Sequence, residues 1–257
     1  MYKRIVVKVG TKVLSKDDGT IDTDVMEHLA EQIAALKKNS EVILVTSGAV
    51  GMGRSLLTLE GADSVVEKQV FAAVGQVKLM SMYADLFAKH GYVCAQVLAT
   101  KEDFRDEQHY LNMKNCLENL LRDNVIPVVN ENDVVAVAEL LFTDNDELAG
   151  LIASQLSADA VIILTSVDGV LTGDPKDPGT TVVPEINVSD IASFQKYITS
   201  EKTGSGRGGM RTKFSVAEKL AAEGITTHIV NGKKKNVLVD VVAGKKLGTR
   251  FAPKKTS

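Results

Sequence analysis

Residues Glu41–Gly53 read EVILVTSGAVGMG. After the leading acid, the run through Thr46 is aliphatic and β-branched, with no polar alternation. That is the pattern of a strand covered on both faces. The residues from Ser47 to Gly53 are small and glycine-rich, a tight exit from a strand into a helix start. A doubly covered strand that empties into a helix is half of a β-α-β unit, so the remaining chain decides whether the unit repeats. It does. Short β-branched runs recur as RIVVKV (Arg4–Val9), YVCAQVLA (Tyr92–Ala99), VIPVV (Val125–Val129), AVIILT (Ala160–Thr165) and TTHIV (Thr226–Val230). Between them lie helix-like stretches: Asp24–Lys38, Val65–His90 with Gly91 as its stop, Gln108–Arg122, Glu147–Leu156, and Gly209–Glu223 stopped by Gly224. The expected fold is α/β, an open three-layer α/β/α sandwich with a mainly parallel central sheet. In such sheets ligands bind beyond the carboxyl ends of the strands. The Pro/Gly-rich stretch Thr172–Thr181 reads as a turn region between an N-terminal and a C-terminal half.

The bulk numbers narrow the classes. With 257 residues, 44% hydrophobic, the chain has enough apolar material for a real core. A net charge of −3 and a pI near 5.9 argue against general nucleic-acid affinity. Cys94 and Cys116 lack metal-ligand spacing and read as small apolar fillers, and the four histidines form no metal motif. The N-terminus MYKRIVVKVG shows no signal-peptide core, and no apolar run reaches the length of a membrane span. The expectation is a cytoplasmic protein with no nucleic-acid or membrane partner.

Several polar groups fall just after strands. Lys8 lies near the end of RIVVKV and is followed by Gly10 and Thr11; a lysine in an apolar strand is costly unless it meets an anion or snorkels from the strand end. Ser47 and Gly48 open the small-residue turn, where free helix N–H groups suit an anion. VIPVV runs into Asn130, Glu131, Asn132 and Asp133, a set able to bind an amine, a carboxylate or a hydroxyl, or to form an ordinary turn. Asp144, Asn145 and Asp146 precede a helix, where caps and first-turn acids are common. AVIILT runs into SVDGVLTGDP, where Asp168-Gly169 and Asp174-Pro175 are turn formers that also suit a nucleotide's base or ribose. Finally GSGRGGMRTK, Gly204–Lys213, packs four glycines and three cations into ten residues. It fails as a Walker A loop because Met210 stands where the lysine belongs, and it fails as a dinucleotide fingerprint because polar sequence precedes it. Two lysines, glycine-rich turns and an acid cluster suit phosphoryl transfer, which asks the protein mainly for positioning and charge neutralisation.

In this order the motifs resemble the amino-acid kinase superfamily, most closely its glutamate 5-kinases. The stretches that carry the likeness are VVKVGTKVL, VTSGAVGMG, AAVGQ, VVNENDVVAVAEL, DND, LTSVDGVLTGDP and GRGGMRTK, from Val6 to Lys213. The resemblance implies a carbamate kinase-like fold and ATP-dependent phosphorylation of the γ-carboxylate of L-glutamate, the first step of proline biosynthesis. It implies that Lys8 bridges the β- and γ-phosphates, that Lys213 stabilises the moving phosphoryl group, and that Asp146 orients both lysines. Gly10, Ser47 and Gly48 would line the phosphoryl site, with Ser47 also holding glutamate; Asp133 and Asn145 would bind the glutamate amino and carboxylate groups. Thr165, Ser166 and the loop Arg207, Gly208, Gly209, Met210, Arg211, Thr212 and Lys213 would contact ATP. Ser166 stands where the family commonly has Asp, and Arg207 and Arg211 replace small residues. Mg2+ would travel on the nucleotide. The resemblance also implies a homo-oligomer, dimer or tetramer, with proline as a feedback inhibitor. Residues 1–257 would form a single kinase domain, mainly glutamate-binding to about residue 160 and mainly ATP-binding from 161, without the PUA domain of many bacterial relatives. The alternatives are another kinase of the superfamily acting on a different acceptor, a catalytically inactive nucleotide-binding regulator, or an RNA-binding role.

Overall fold

A computed structural model describes residues 2–58, 64–135, 142, 144–173, 177–191, 193–194 and 209–253. Among them, strands β1 (Arg4–Val9), β2 (Glu41–Val45), β3 (Cys94–Ala99), β4 (Ile126–Glu131), β5 (Ala160–Thr165), β6 (Glu185–Asn187), β7 (Thr226–Asn231) and β8 (Thr249–Ala252) form one sheet in the order β3-β4-β2-β1-β5-β7-β8-β6. Only β7 and β8 pair antiparallel among the described strands. The helices are α1 (Thr11–Leu14), α2 (Thr23–Lys37), α3 (Ala49–Leu56), α4 (Val65–Ala88), α5 (Glu107–Arg122), α6 (Asn145–Gln155), α7 (Met210–Ala222) and α8 (Val237–Val242).

The three layers follow from the strand pleat. Ile5, Val7 and Val9 of β1 enter one apolar cluster with Leu29 and Ile33 of α2, Leu79 and Tyr83 of α4, and Leu238 of α8. Val6 enters the other, with Leu117 of α5, Leu148 and Ile152 of α6, and Phe214 and Leu220 of α7. Side chains alternate along a strand, so Lys8 shares the face of Val6 and looks toward α6 and α7. Both faces of β1 are covered, which is why its sequence shows no polar alternation.

The start of α3 is set by glycines. Gly48 has φ 109°, a left-handed conformation that lets the chain turn from β2 into α3. Gly53 of α3 and Gly75 of α4 let the two helices touch backbone to backbone. A Cβ on Gly53 would lie 1.9 Å from the Phe71 carbonyl oxygen, and one on Gly75 1.8 Å from that of Ala49.

Three readings need correction. VIPVV is too short a strand, because Asn130 and Glu131 continue β4 and are buried within it. β6, β8 and α8 were not anticipated; the two strands are three and four residues long, too short to show a period. And α4, 24 residues, is long and apolar enough by length and composition to cross a membrane. Its outward side carries exposed Val66, Val70 and Val77, while Phe71, Leu79, Tyr83 and Phe87 pack into the core. Thr172–Thr181 is pinched at its base by a Leu171–Val182 bridge; Asp174 and Pro175 lie outside the described residues.

Candidate active site

The carboxyl end of β1 and the first turns of α6 and α7 meet at one carboxylate. Asp144 caps α6: its Oδ1 accepts from the backbone N–H of Asp146 at 2.7 Å and of Glu147 at 3.2 Å. The cap fixes Asp146 in the first turn, facing β1. The Lys8 ammonium stands 2.7 Å from Asp146 Oδ1, and Lys213, one turn into α7, donates to Oδ2 at 2.8 Å. All three are buried, at 5%, 0% and 6% exposure for Lys8, Asp146 and Lys213. Burial pushes the Asp146 carboxyl up, but the two ammonium groups prevail and hold it below the ordinary value. Burial, then the neighbouring Asp146 charge, pushes Asp144 up to about 6 against the pull of both lysines. Two ammonium groups held on one carboxylate, with Asp144 beside them, keep paired cations in a dry place, where an anionic ligand can meet them.

Asn145, beside Asp146, ties α6 to the end of β2. Its Nδ2 lies 2.6 Å from the Thr46 carbonyl, 2.9 Å from Ser47 Oγ and 2.9 Å from Asn130 Oδ1. Its Oδ1 is buried without a partner, as is Asp144 Oδ2. Bare acceptors on two consecutive residues suit a donor-rich group such as an ammonium. Thr46 is anchored from below by the Tyr83 hydroxyl at 2.8 Å. Asp133 is half-buried in the turn after β4. Sequence reading placed Asn130 in a binding set but gave it no role of its own, passed over Gln76 as a site residue, and gave Asp144 no role beyond a cap.

On the other side of the crevice, the N-cap positions of α1, α3 and α7 are Gly10, Gly48 and Gly209, which offer no capping side chain. A Cβ on Gly10 would sit 3.3 Å from the Lys8 ammonium, so glycine keeps that approach open. Thr165 ends β5 half-buried, and Ser166 is exposed. Met210 and Thr212 are half-buried and Arg211 exposed in the first turn of α7; Arg207 and Gly208 lie outside the described residues. Asp168 receives Asn231 Nδ2 at 2.9 Å and pairs with Lys234 at 2.8 Å, joining the loops after β5 and β7. A cavity of about 740 Å³ lined by Tyr2, Ser157, Asp159 and Glu223 lies at the opposite, amino-terminal end of the strands, away from the buried lysines.

The sequence profile of the amino acid kinase family matches residues 3–231. A glutamate 5-kinase of Chlorobaculum tepidum is 51% identical over 99% of this chain and 70% of its own length. One of Bacteroides thetaiotaomicron is 50% identical over 98% of this chain and 71% of its own. Among solved structures, a carbamate kinase from Giardia lamblia bound to AMP-PNP superposes with a TM-score of 0.70 at 20% identity, covering 98% of this chain and 99% of that one. A UMP kinase from Bacillus anthracis gives 0.66 at 16%, covering 98% and 97%. The two structures establish the fold alone, and the profile and half-identical relatives establish the lineage. A glycine-lined crevice with two lysines on one buried aspartate is therefore set in a known frame: the chain belongs to the amino acid kinase family, in its glutamate 5-kinase branch.

Proposed function

We propose that the chain is an ATP-dependent glutamate 5-kinase. A γ-carboxylate oxygen of L-glutamate attacks the γ-phosphorus of ATP in line; the bond to the β–γ bridging oxygen breaks, and L-glutamyl 5-phosphate and ADP leave, the first step toward proline. The observation that carries this reading is the pair of lysines held on Asp146 at 2.7 and 2.8 Å. Phosphoryl transfer spreads negative charge over the moving group and its two flanking oxygens. Lys8 bridges the β- and γ-phosphates and Lys213 meets the transferred group, both pre-aimed by the carboxylate between them. The N-termini of α3 and α7 add backbone N–H groups. Ser47, Gly48, Asp133 and Asn145 hold glutamate, with Asp144 and Asn145 offering acceptors to its ammonium group. Gly10, Thr165, Ser166 and the Arg207–Lys213 loop hold ATP. Residues to about 160 serve mainly glutamate and those from 161 mainly ATP.

Mg2+ enters with the nucleotide. Asp146 has both oxygens occupied by lysines, and no group of three His, Cys, Asp or Glu among the described residues is placed to hold a metal. On this reading the ion would be carried by the phosphates, whose charge it offsets. The enzyme is cytoplasmic and assembles with copies of itself; the exposed valines Val66, Val70 and Val77 on α4 support assembly, and a monomer by light scattering at micromolar concentration counts against it. Proline competes at or near the glutamate site; a titration that leaves activity flat rejects this.

The test of function is ADP release from Mg-ATP with L-glutamate, hydroxylamine trapping the acyl phosphate as hydroxamate, with L-aspartate and N-acetyl-L-glutamate in parallel. Hydroxamate from glutamate alone is the expected result. Turnover only with another acceptor would place the chain elsewhere in the family, and ATP binding without turnover would make it a regulator.

A further inference from the structure

The AAVGQ stretch, Ala72–Gln76, has one residue without a role so far. Gly75 lets α4 touch α3; Gln76, in the next position, is 9% exposed and turned into the fold. Its Oε1 accepts from Asn130 Nδ2 at 2.9 Å, and its Nε2 donates to Gln96 Oε1 at 3.1 Å. Asn130, 2% exposed, in turn accepts from Asn145 Nδ2 at 2.9 Å. Four amides thus run from the site through the core to Gln96 on the edge strand β3.

The polarity of this chain is forced by backbone groups. The Thr46 carbonyl can only accept, so Asn145 must present its nitrogen there. The Glu131 N–H can only donate, so Asn130 must present its oxygen, at 2.9 Å. The Asn130 nitrogen then points into the core and needs an acceptor, which Gln76 supplies. With nitrogen inward, Asn145 keeps its buried, unpartnered Oδ1 for a ligand.

We propose that Gln76 is a positioning residue for the acceptor substrate: through Asn130 it holds the Asn145 amide with its oxygen available to the acceptor's ammonium group. The inference rests on the glutamate kinase reading and adds a specificity device to it. Removing Gln76 strands a buried N–H2 on Asn130, which must turn to find a partner and loosens Asn145 with it.

The experiment measures KM for L-glutamate, KM for ATP, kcat and Tm in the wild type, Gln76→Leu, Gln76→Met, Gln76→Glu and Gln96→Ala. The two apolar variants guard against poor folding of either one. They should raise the glutamate KM about tenfold, the cost of one unsatisfied buried donor. Their kcat and ATP KM should stay within about twofold of wild type. The preference for L-glutamate over L-2-hydroxyglutarate, which lacks the ammonium, should fall by the same factor. Gln76→Glu still accepts from Asn130 and should recover most of the loss. Gln96→Ala should change little, because Gln96 is exposed and water replaces it. An unchanged glutamate KM in both apolar variants overturns the proposal, as does a parallel rise of both KM values with a drop in Tm. A wild-type chain that makes no hydroxamate from glutamate would instead sink the kinase reading.

Discussion

At the scale of single residues, the site is a charge-balance problem. Asp146 is fully buried between two ammonium groups. Lys213→Ala leaves a neutral Lys8–Asp146 pair, which the fold tolerates, but removes the cation proposed to meet the transferred phosphoryl group. Turnover should fall at least about 100-fold with an unchanged far-UV circular dichroism spectrum. Near-normal turnover would strip Lys213 of its role. Asp146→Ala does the opposite electrostatically, leaving two buried ammonium groups facing each other. Its cost in stability should be on the order of 3–5 kcal/mol and larger than that of Lys213→Ala. Urea titrations of the two variants decide this, and equal midpoints would refute the account. Asp133→Ala should mainly raise the glutamate KM; an unchanged value would remove Asp133 from the site. Lys8 was legible because a lysine in an apolar strand asks for an anion, and Lys213 because it follows glycines at a helix start; Asp146 was placed between them only by the family resemblance. Gln76 was not legible, because a buried amide leaves no periodic trace and its partners lie 20 and 54 residues away; Asn130 was visible as one of four polar residues after a strand, but not its bond to Gln76. Asp144 was hidden by its own success as a cap.

At the scale of elements, legibility tracked length and burial. β1 and β5 matched to the residue because both their faces are covered. Gly91 and Gly224 ended helices as read, at φ 77° and 84°. The short strands near the C-terminus gave no signal. The glycines of VTSGAVGMG were read as an anion site or a tight turn, and AAVGQ only as part of the family likeness, yet Gly53 and Gly75 serve the α3–α4 contact. Nothing in a sequence separates a glycine that faces a ligand from one that faces a helix. Substitution does. Gly75→Ala drives a methyl into the Ala49 carbonyl and should cost about 2 kcal/mol or more, with α3 displaced and the Ser47–Gly48 turn displaced with it. Gly51, in the same helix, has nothing within 4 Å of its Cβ position. Gly51→Ala should therefore stabilise by about 0.5–1 kcal/mol, the gain in helix propensity. Thermal melts of both variants test the contact. Gly75→Ala melting with Gly51→Ala would show that α3 and α4 are not interlocked.

At the scale of the whole molecule, two buried groups at opposite ends of the sheet set opposing pH trends. His228, on β7, is 6% exposed and lies 2.9 Å by Nε2 from the Tyr2 hydroxyl. Burial, then the Arg250 charge, pushes it from 6.5 down to about 4. The unfolded chain takes up its proton first, so stability from this group is whole above pH 6.5 and is lost as pH falls toward 4. Asp144 is shifted the other way, from 3.8 up to about 6. Here the folded chain binds the proton more tightly, so stability is lost as pH rises from 4 to 6. The windows overlap and the slopes oppose, so the wild type should show a shallow pH dependence that conceals both. The variants separate them. Relative to wild type, His228→Gln should gain stability as pH falls from 6.5 to 4, and Asp144→Asn should gain it as pH rises from 4 to 6, each by on the order of 1–3 kcal/mol across its window. Urea midpoints at pH 4, 5 and 6.5 for the three proteins are sufficient. A flat difference for His228→Gln would mean that the amino-terminal end of the sheet admits a charged imidazole. A flat difference for Asp144→Asn would mean that the unpaired Oδ2 reaches water, and the bare acceptors beside the lysines would then be no pocket for an ammonium group.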